Sequence, residues 1–127
     1  MLHRMNLRCQ PFDKIAIGEK DIELRLFDEK RQQLNVGDEI QFKCNERSSV
    51  LYAVVESLNV YKDFKQLYDS EPLERCGYNR DRLDSASYTD MQQYYSEEEV
   101  LQHGVVAIHL KDIRVKEVSD DHVRNDN

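Results

Sequence analysis

The 127-residue sequence predicts an α+β domain, a small mixed β-barrel with short helices packed around it. Three observations lead there. Strand-like alternation of apolar and polar residues recurs near residues 3–8, 22–26, 39–44, 50–61 and 104–115. The helical patterns are short, and after the first they group between the fourth strand and the last. Regular strand–helix–strand repeats of the length that parallel crossovers need are missing, which argues against an α/β fold. Closing such a sheet with the C-terminal strand would satisfy its edges.

The elements follow in order. His3–Arg8 alternates Met5 and Leu7 against polar neighbours, a half-buried strand. Pro11 fits a first helical turn, Phe12, Ile15 and Ala16 share a face, and Gly18 is the stop. In the next strand Ile22, Leu24 and Leu26 face one way, Glu23 and Arg25 the other. The charged stretch 28–33 leads to Val36-Gly37-Asp38, a turn feeding a strand over Glu39–Cys44. After the polar loop 45–49, Val50–Tyr61 is β-rich and apolar on both faces, as in a strand crossing the core. Phe64, Leu67 and Tyr68 mark a helix within 63–68, and Glu71–Gly77 is a further helical turn ended by glycine. Residues 79–87 read as a loop, Thr89 as the cap of a helix through Tyr94, and Ser96–Glu99 as a capping box before Val100 and Leu101. Gly104–Val115 is the last strand. The acidic segment 117–127 has few apolar residues and is expected to be a disordered tail to a domain spanning 1–116.

Composition narrows the functions available. The net charge is −7, of which residues 117–127 carry −3. A chain this acidic does not coat DNA indiscriminately, so any nucleic-acid role is local and shaped. No apolar run approaches the roughly 20 residues of a membrane span, and the first residues lack the apolar core of a signal peptide, so a cytoplasmic location is expected. The three cysteines, Cys9, Cys44 and Cys76, show no C-x-x-C spacing and no neighbouring His pair. They read as reduced thiols, with no metal or other cofactor implied.

The stretch Gly18-Glu19-Lys20-Asp21-Ile22-Glu23-Leu24-Arg25 stands out. It sets two cations and a carboxylate on a short strand after a helix-ending glycine. From Asp13 to Arg31 six acids face five bases, a balance that suits a mixed-charge pocket better than a phosphate-tracking stripe. Lys20 and Arg25 are donors for phosphate or carbonyl oxygens, Glu23 is an acceptor for base N–H groups, and Tyr61, Tyr68, Tyr78, Tyr94 and Tyr95 offer flat partners. Written G-x-K-x-x-E-x-R, the stretch resembles the signature of the ASCH domain, a PUA-like β-barrel family. The helix-like 11–17 before it, Val36–Ile40 after it and the closing strand from Gly104 to Ile108 also fall where small ASCH proteins have them, so the resemblance covers roughly residues 3–113. It implies a cleft that binds RNA, a nucleotide or a modified nucleoside through Lys20, Glu23 and Arg25, with Tyr61 ending the long strand on the cleft side.

Blander readings stand beside this one. Strand-borne Glu23 and Arg25 can be a solvated face, worth about 0–1 kcal/mol as a surface pair. Strand parity sends Lys20 away from Glu23 and Arg25 unless the turn after Gly18 redirects it. Some relatives of this family hydrolyse the amide of N4-acetylcytidine with a lysine, a threonine three residues later and a glutamate beyond the long strand. Lys20 matches the lysine, Glu23 stands in place of the threonine, and Glu71 or Glu74 could supply the acid; an enzyme would then use Lys20, Glu23 and Glu71, with Glu23 activating water. A third reading is a protein-interaction module built on the tyrosine-rich segment 63–95. His103 and His109 read as surface or core-edge imidazoles, and Cys76 beside Arg75 as a thiol whose pKa could be lowered, without the nearby His that nucleophilic catalysis would want.

Overall fold

The computed structural model describes residues 1–117; the expected acidic tail, apart from Glu117, lies outside the described residues. Five strands, β1 (Leu2–Asn6), β2 (Ile22–Leu26), β3 (Glu39–Lys43), β4 (Ser49–Tyr61) and β5 (Val105–Glu117), form one sheet in the order β1-β3-β4-β5-β2. The β1–β3 pair is parallel and the others antiparallel, and the sheet curls into half a barrel. Helices α1 (Cys9–Ala16), α2 (Phe64–Ser70) and α3 (Glu97–His103) pack around it. The α+β class and the mixed sheet are those the sequence predicts.

The barrel is not closed by its last strand. Val105, Val106, Ala107 and Ile108 are apolar and buried on both faces, so β5 takes a central place between β4 and β2. That leaves β1 and β2 as the edges. A side chain spans the seam between them: the Arg25 guanidinium donates to the Asn6 carbonyl at 2.7 Å.

Each face of the sheet has its own core. Phe12 and Ile15 of α1 pack with Ile40, Phe42, Leu51, Val106 and Ile108 on one side. Phe64 and Leu67 of α2 pack with Ile22, Leu24, Leu26, Val105 and Ala107 on the other. Strand parity therefore assigns every polar side chain on β2, β4 and β5 to one of two neighbourhoods.

Caps explain the boundaries. Asp63 accepts from the Gln66 amide at 2.9 Å and starts α2, and Ser96 and Glu99 form the reciprocal box that starts α3. The segment between these helices differs from expectation in detail. Residues Arg80–Ser85 form a 3₁₀ turn where a loop was expected, and Tyr88–Gln93 is another 3₁₀ turn in place of an α-helix. Its cap is Ser87, not Thr89: the Ser87 hydroxyl accepts from the Thr89 amide, and the Ser87 amide donates to the Asp90 carboxylate. With no apolar stripe at helical spacing, short polar caps hold this segment in tight turns.

The cysteines depart from expectation. Cys9 and Cys44 form a disulfide, their Cα atoms 5.6 Å apart, and only Cys76 is free. Parallel pairing of Asn6 with Lys43 brings the start of α1 beside the end of β3, a proximity that no sequence spacing reveals.

Candidate functional site

The signature residues Lys20, Glu23 and Arg25 meet in one buried cluster. Lys20 Nζ lies 2.9 Å from Glu23 Oε1, and Arg25 Nε lies 2.6 Å from Glu23 Oε2. Lys20 precedes the strand instead of extending it. Gly18, at φ +85°, turns the chain after α1, and the Asp21 amide then bonds to the Arg75 carbonyl, so regular pairing begins only at Ile22. Freed from strand parity, the Lys20 side chain points back to Glu23. The blander reading of a solvated strand face fails on burial, because Lys20 is 8 % exposed and Glu23 5 %.

This geometry favours the charged form of Glu23. Burial alone would raise the Glu23 pKa, but Lys20 and Arg25 overcome it and hold the carboxyl below its ordinary range. Glu23 is thus an anion at neutral pH with both oxygens occupied. It orients two cations and leaves the cluster with one net positive charge.

Around the cluster opens a cleft of about 900 Å³. The end of β1, α1, β2 and the segment 76–95 form its walls. Arg8, Lys14, Lys20, Arg25 and Arg82 line it against only Glu23 and Asp90, so a chain of net charge −7 concentrates positive charge here. Lys14 is steered inwards by the Gly77 carbonyl at 2.5 Å and Asn79 Oδ1 at 3.3 Å. Gly77, at φ +111°, lies so close that a Cβ there would sit 3.3 Å from Lys20 Cδ.

Four tyrosines complete the lining, Tyr68, Tyr78, Tyr94 and Tyr95. Tyr78 donates to Asp90 at 2.7 Å and its oxygen lies 2.7 Å from that of Tyr68. Burial is the first cause pushing both phenols up, Tyr68 to about 12 and Tyr78 further, so both are neutral donors at physiological pH. Tyr94 is 47 % exposed, with the Arg8 guanidinium 5.6 Å from its ring centroid and bonded to its hydroxyl at 2.7 Å. Tyr95 is fixed from behind by stacking on Phe64.

Tyr61 and Glu71 do not join this cleft. Tyr61 pairs with Val105 and Arg25 with Val106, adjacent positions on β5, so the two side chains occupy opposite sheet faces. Glu71, at the end of α2, accepts from Tyr61 at 2.5 Å and Asn59 at 2.9 Å and lies 2.7 Å from His109 Nε2. Burial would raise the Glu71 pKa, but those three partners hold it low. The Tyr61 hydroxyl, pushed up to about 12 by burial and then by Glu71, is spent on that contact. This second cluster anchors α2 to the sheet. Cys76, expected to be acidified by Arg75, is the reverse: burial pushes its thiol up to about 12. Arg75 is committed to Asp21 at 2.8 Å.

The ASCH domain model matches residues 5–114. The chain belongs to the ASCH domain family. Among solved structures it resembles the hypothetical protein PH0355, with 32 % identity, 87 % of this chain and 98 % of that one covered, and a TM-score of 0.74. Protein PF0455 from Pyrococcus furiosus is similar at 31 % identity, covering 87 % and 96 %, with a TM-score of 0.67. The ASCH protein of Zymomonas mobilis shares the fold at 15 % identity, covering 98 % and 77 %, with a TM-score of 0.65. No curated protein matches the chain. Among the described residues, no helix of this ASCH protein is long and apolar enough to cross a membrane.

Proposed function

We propose that this ASCH protein binds single-stranded RNA or a nucleotide in the cleft around Lys20, Glu23 and Arg25. The observation that carries the reading is the pairing of local positive charge with exposed aromatic surface in a chain that is acidic overall. Phosphates need the cations, and bases stack on aromatic faces at about 1–3 kcal/mol each. Tyr94 with Arg8 beside it offers such a face, and Lys14 and Arg82 add donors on the same cleft. Family membership agrees, since ASCH domains have PUA-like architecture.

The hydrolytic alternative draws no support from this arrangement. A general base works best with a pKa near the operating pH, whereas Glu23 is held low with both oxygens in ion pairs. Glu71 faces the other side of the sheet. The interaction-module reading keeps less of the segment 63–95 than expected, because Tyr68, Tyr78, Tyr94 and Tyr95 line the cleft, while Tyr88 and Leu101 remain exposed at a second, smaller concavity.

A thermal-shift screen of short RNAs, nucleotides and modified nucleosides including N4-acetylcytidine, with product analysis, tests the reading on wild type, Lys20→Ala and Arg25→Ala. At a ligand concentration of 100 Kd the native state gains about 2.7 kcal/mol. The expected result is stabilisation by RNA or nucleotides that both variants lose, without turnover. Acetate release that depends on Lys20 would make the protein a hydrolase, and no shift with any nucleic-acid ligand would overturn the proposal.

A further inference from the structure

A second group of chemically capable side chains sits away from the cleft cluster, at the junction of α1 and β3. Cys9, Cys44 and Glu46 place one ligand atom each within 4.8 Å of one another. Glu46 Oε1 is 3.2 Å from Cys9 Sγ. In the disulfide that sulfur carries no proton, so the carboxylate faces an atom that offers it nothing. The neighbouring cation does not take it either: Arg47 directs its guanidinium to Asp13 of α1, at 3.0 and 2.6 Å. A carboxylate touching one sulfur and close to the second is the arrangement that a cation between them would use.

We propose that, when Cys9 and Cys44 are reduced, they and Glu46 form a binding site for a soft divalent cation of the zinc class. Two thiolates and one carboxylate are a ligand set such an ion takes, at about 2.3 Å to sulfur and about 2.0–2.2 Å to oxygen, with a fourth position left to water. Tetrahedral geometry with those bonds sets the sulfurs about 3.8 Å apart. Two unbonded sulfurs at this Cα spacing reach that separation by side-chain rotation alone. Cys44 is buried at 2 % exposure and Cys9 is half-buried, while Glu46 is exposed, so the site has a dry wall and an open entrance. Its frame is set by regular elements: Cys9 begins α1, Cys44 follows β3, and the Arg47–Asp13 pair links the loop after β3 to α1.

Metal and disulfide compete for the same sulfurs. Binding releases the two thiol protons to solvent and forms two metal–sulfur bonds. Oxidation by a low-molecular-weight disulfide runs the other way: one thiolate attacks it and expels a small thiolate, the second attacks the resulting mixed disulfide to form the Cys9–Cys44 bond and expels the other, both small thiolates take protons from solvent, and the cation is released. The site therefore holds metal only under reducing conditions. Loading would also fix the start of α1, whose flanking residues Arg8 and Gln10 line the cleft.

The test uses the full chain, reduced with a phosphine that does not chelate and then exchanged into metal-free buffer, titrated with Cd²⁺ as a spectroscopic probe and with Zn²⁺ in competition. The expected result is one equivalent bound with a thiolate-to-metal charge-transfer band. The band should vanish in Cys9→Ser, in Cys44→Ser and in the oxidised wild type, and persist in Cys76→Ser. Glu46→Gln, an exposed change that does not threaten folding, should weaken Cd²⁺ about tenfold or more, the scale on which even outer partners of metal ligands act. Absence of the band in reduced wild type, its survival in Cys9→Ser, or unchanged affinity in Glu46→Gln would overturn the proposal.

Discussion

Replacing Glu23 by Gln gives the sharpest test of the buried cluster, because the structure sets two very different magnitudes against each other. If Glu23 were a surface residue, the change would cost about 0–1 kcal/mol. Here it removes the counter-charge shared by Lys20 and Arg25, whose side chains are only 10 % and 13 % exposed. Breaking a buried pair by deleting one partner costs about 3–5 kcal/mol, since the stranded charges stay desolvated. For a chain of this size that corresponds to a drop in Tm of roughly 10–20 °C. Urea unfolding at pH 7 gives the number directly, with unchanged m showing that the folded state is the same. A companion variant, Lys20→Met with Glu23→Gln, leaves only Arg25 unneutralised and should be more stable than Glu23→Gln alone, a non-additivity that solvated groups would not show. A loss below about 1 kcal/mol for Glu23→Gln, or additive single changes, would refute the buried-triad account.

Other outcomes follow from the same geometry. Glu23, Glu71 and Asp38 all have folded pKa values below their ordinary ones; their contribution is complete above the unfolded pKa, near 4.5 for Glu, and is lost as pH falls through the folded values. Urea midpoints should thus hold steady from pH 7 to 5 and fall below about 4.5, with a smaller fall in Glu23→Gln. Gly77→Ala should cost about 1–2 kcal/mol for its left-handed backbone and lower ligand affinity by shifting Lys20, read by urea unfolding and a binding titration. Tyr61→Phe should cost about 1–2 kcal/mol for the lost bond to Glu71 yet leave nucleotide or RNA affinity unchanged, since Tyr61 lies on the other sheet face.

Much of this molecule is written in local patterns, and the exceptions have physical causes. Among the described residues, alternation found all five strands, and apolar spacing together with proline, glycine and serine cues found the three α-helices, because those signals act within a turn or a strand. Lys20, Glu23 and Arg25 were legible as a group for the same reason, lying within six residues. What alternation could not give was the order of strands. The burial of β5 on both faces makes it central, and that placement decides which face each β4 residue shares. Tyr61 was assigned to the cleft from its place at the end of β4, whereas its register with Val105 turns it to Glu71. The disulfide likewise depends on parallel pairing across 35 residues, which composition cannot foresee. The remaining cleft wall, Arg8, Lys14, Gly77, Asn79 and Arg82, comes from two separate segments brought together only by tertiary packing. Gly77 carried the one local hint, a helix-ending glycine beside a tyrosine.

The most direct test of the central claim is amide chemical-shift mapping of the ¹⁵N-labelled protein titrated with a short single-stranded RNA and with a nucleoside monophosphate. Shifts confined to the ends of β1 and α1, to 20–25 and to 76–95 are the result this account predicts. Shifts centred instead on Asn59, Glu71 and His109, or no shift with either ligand, would contradict it.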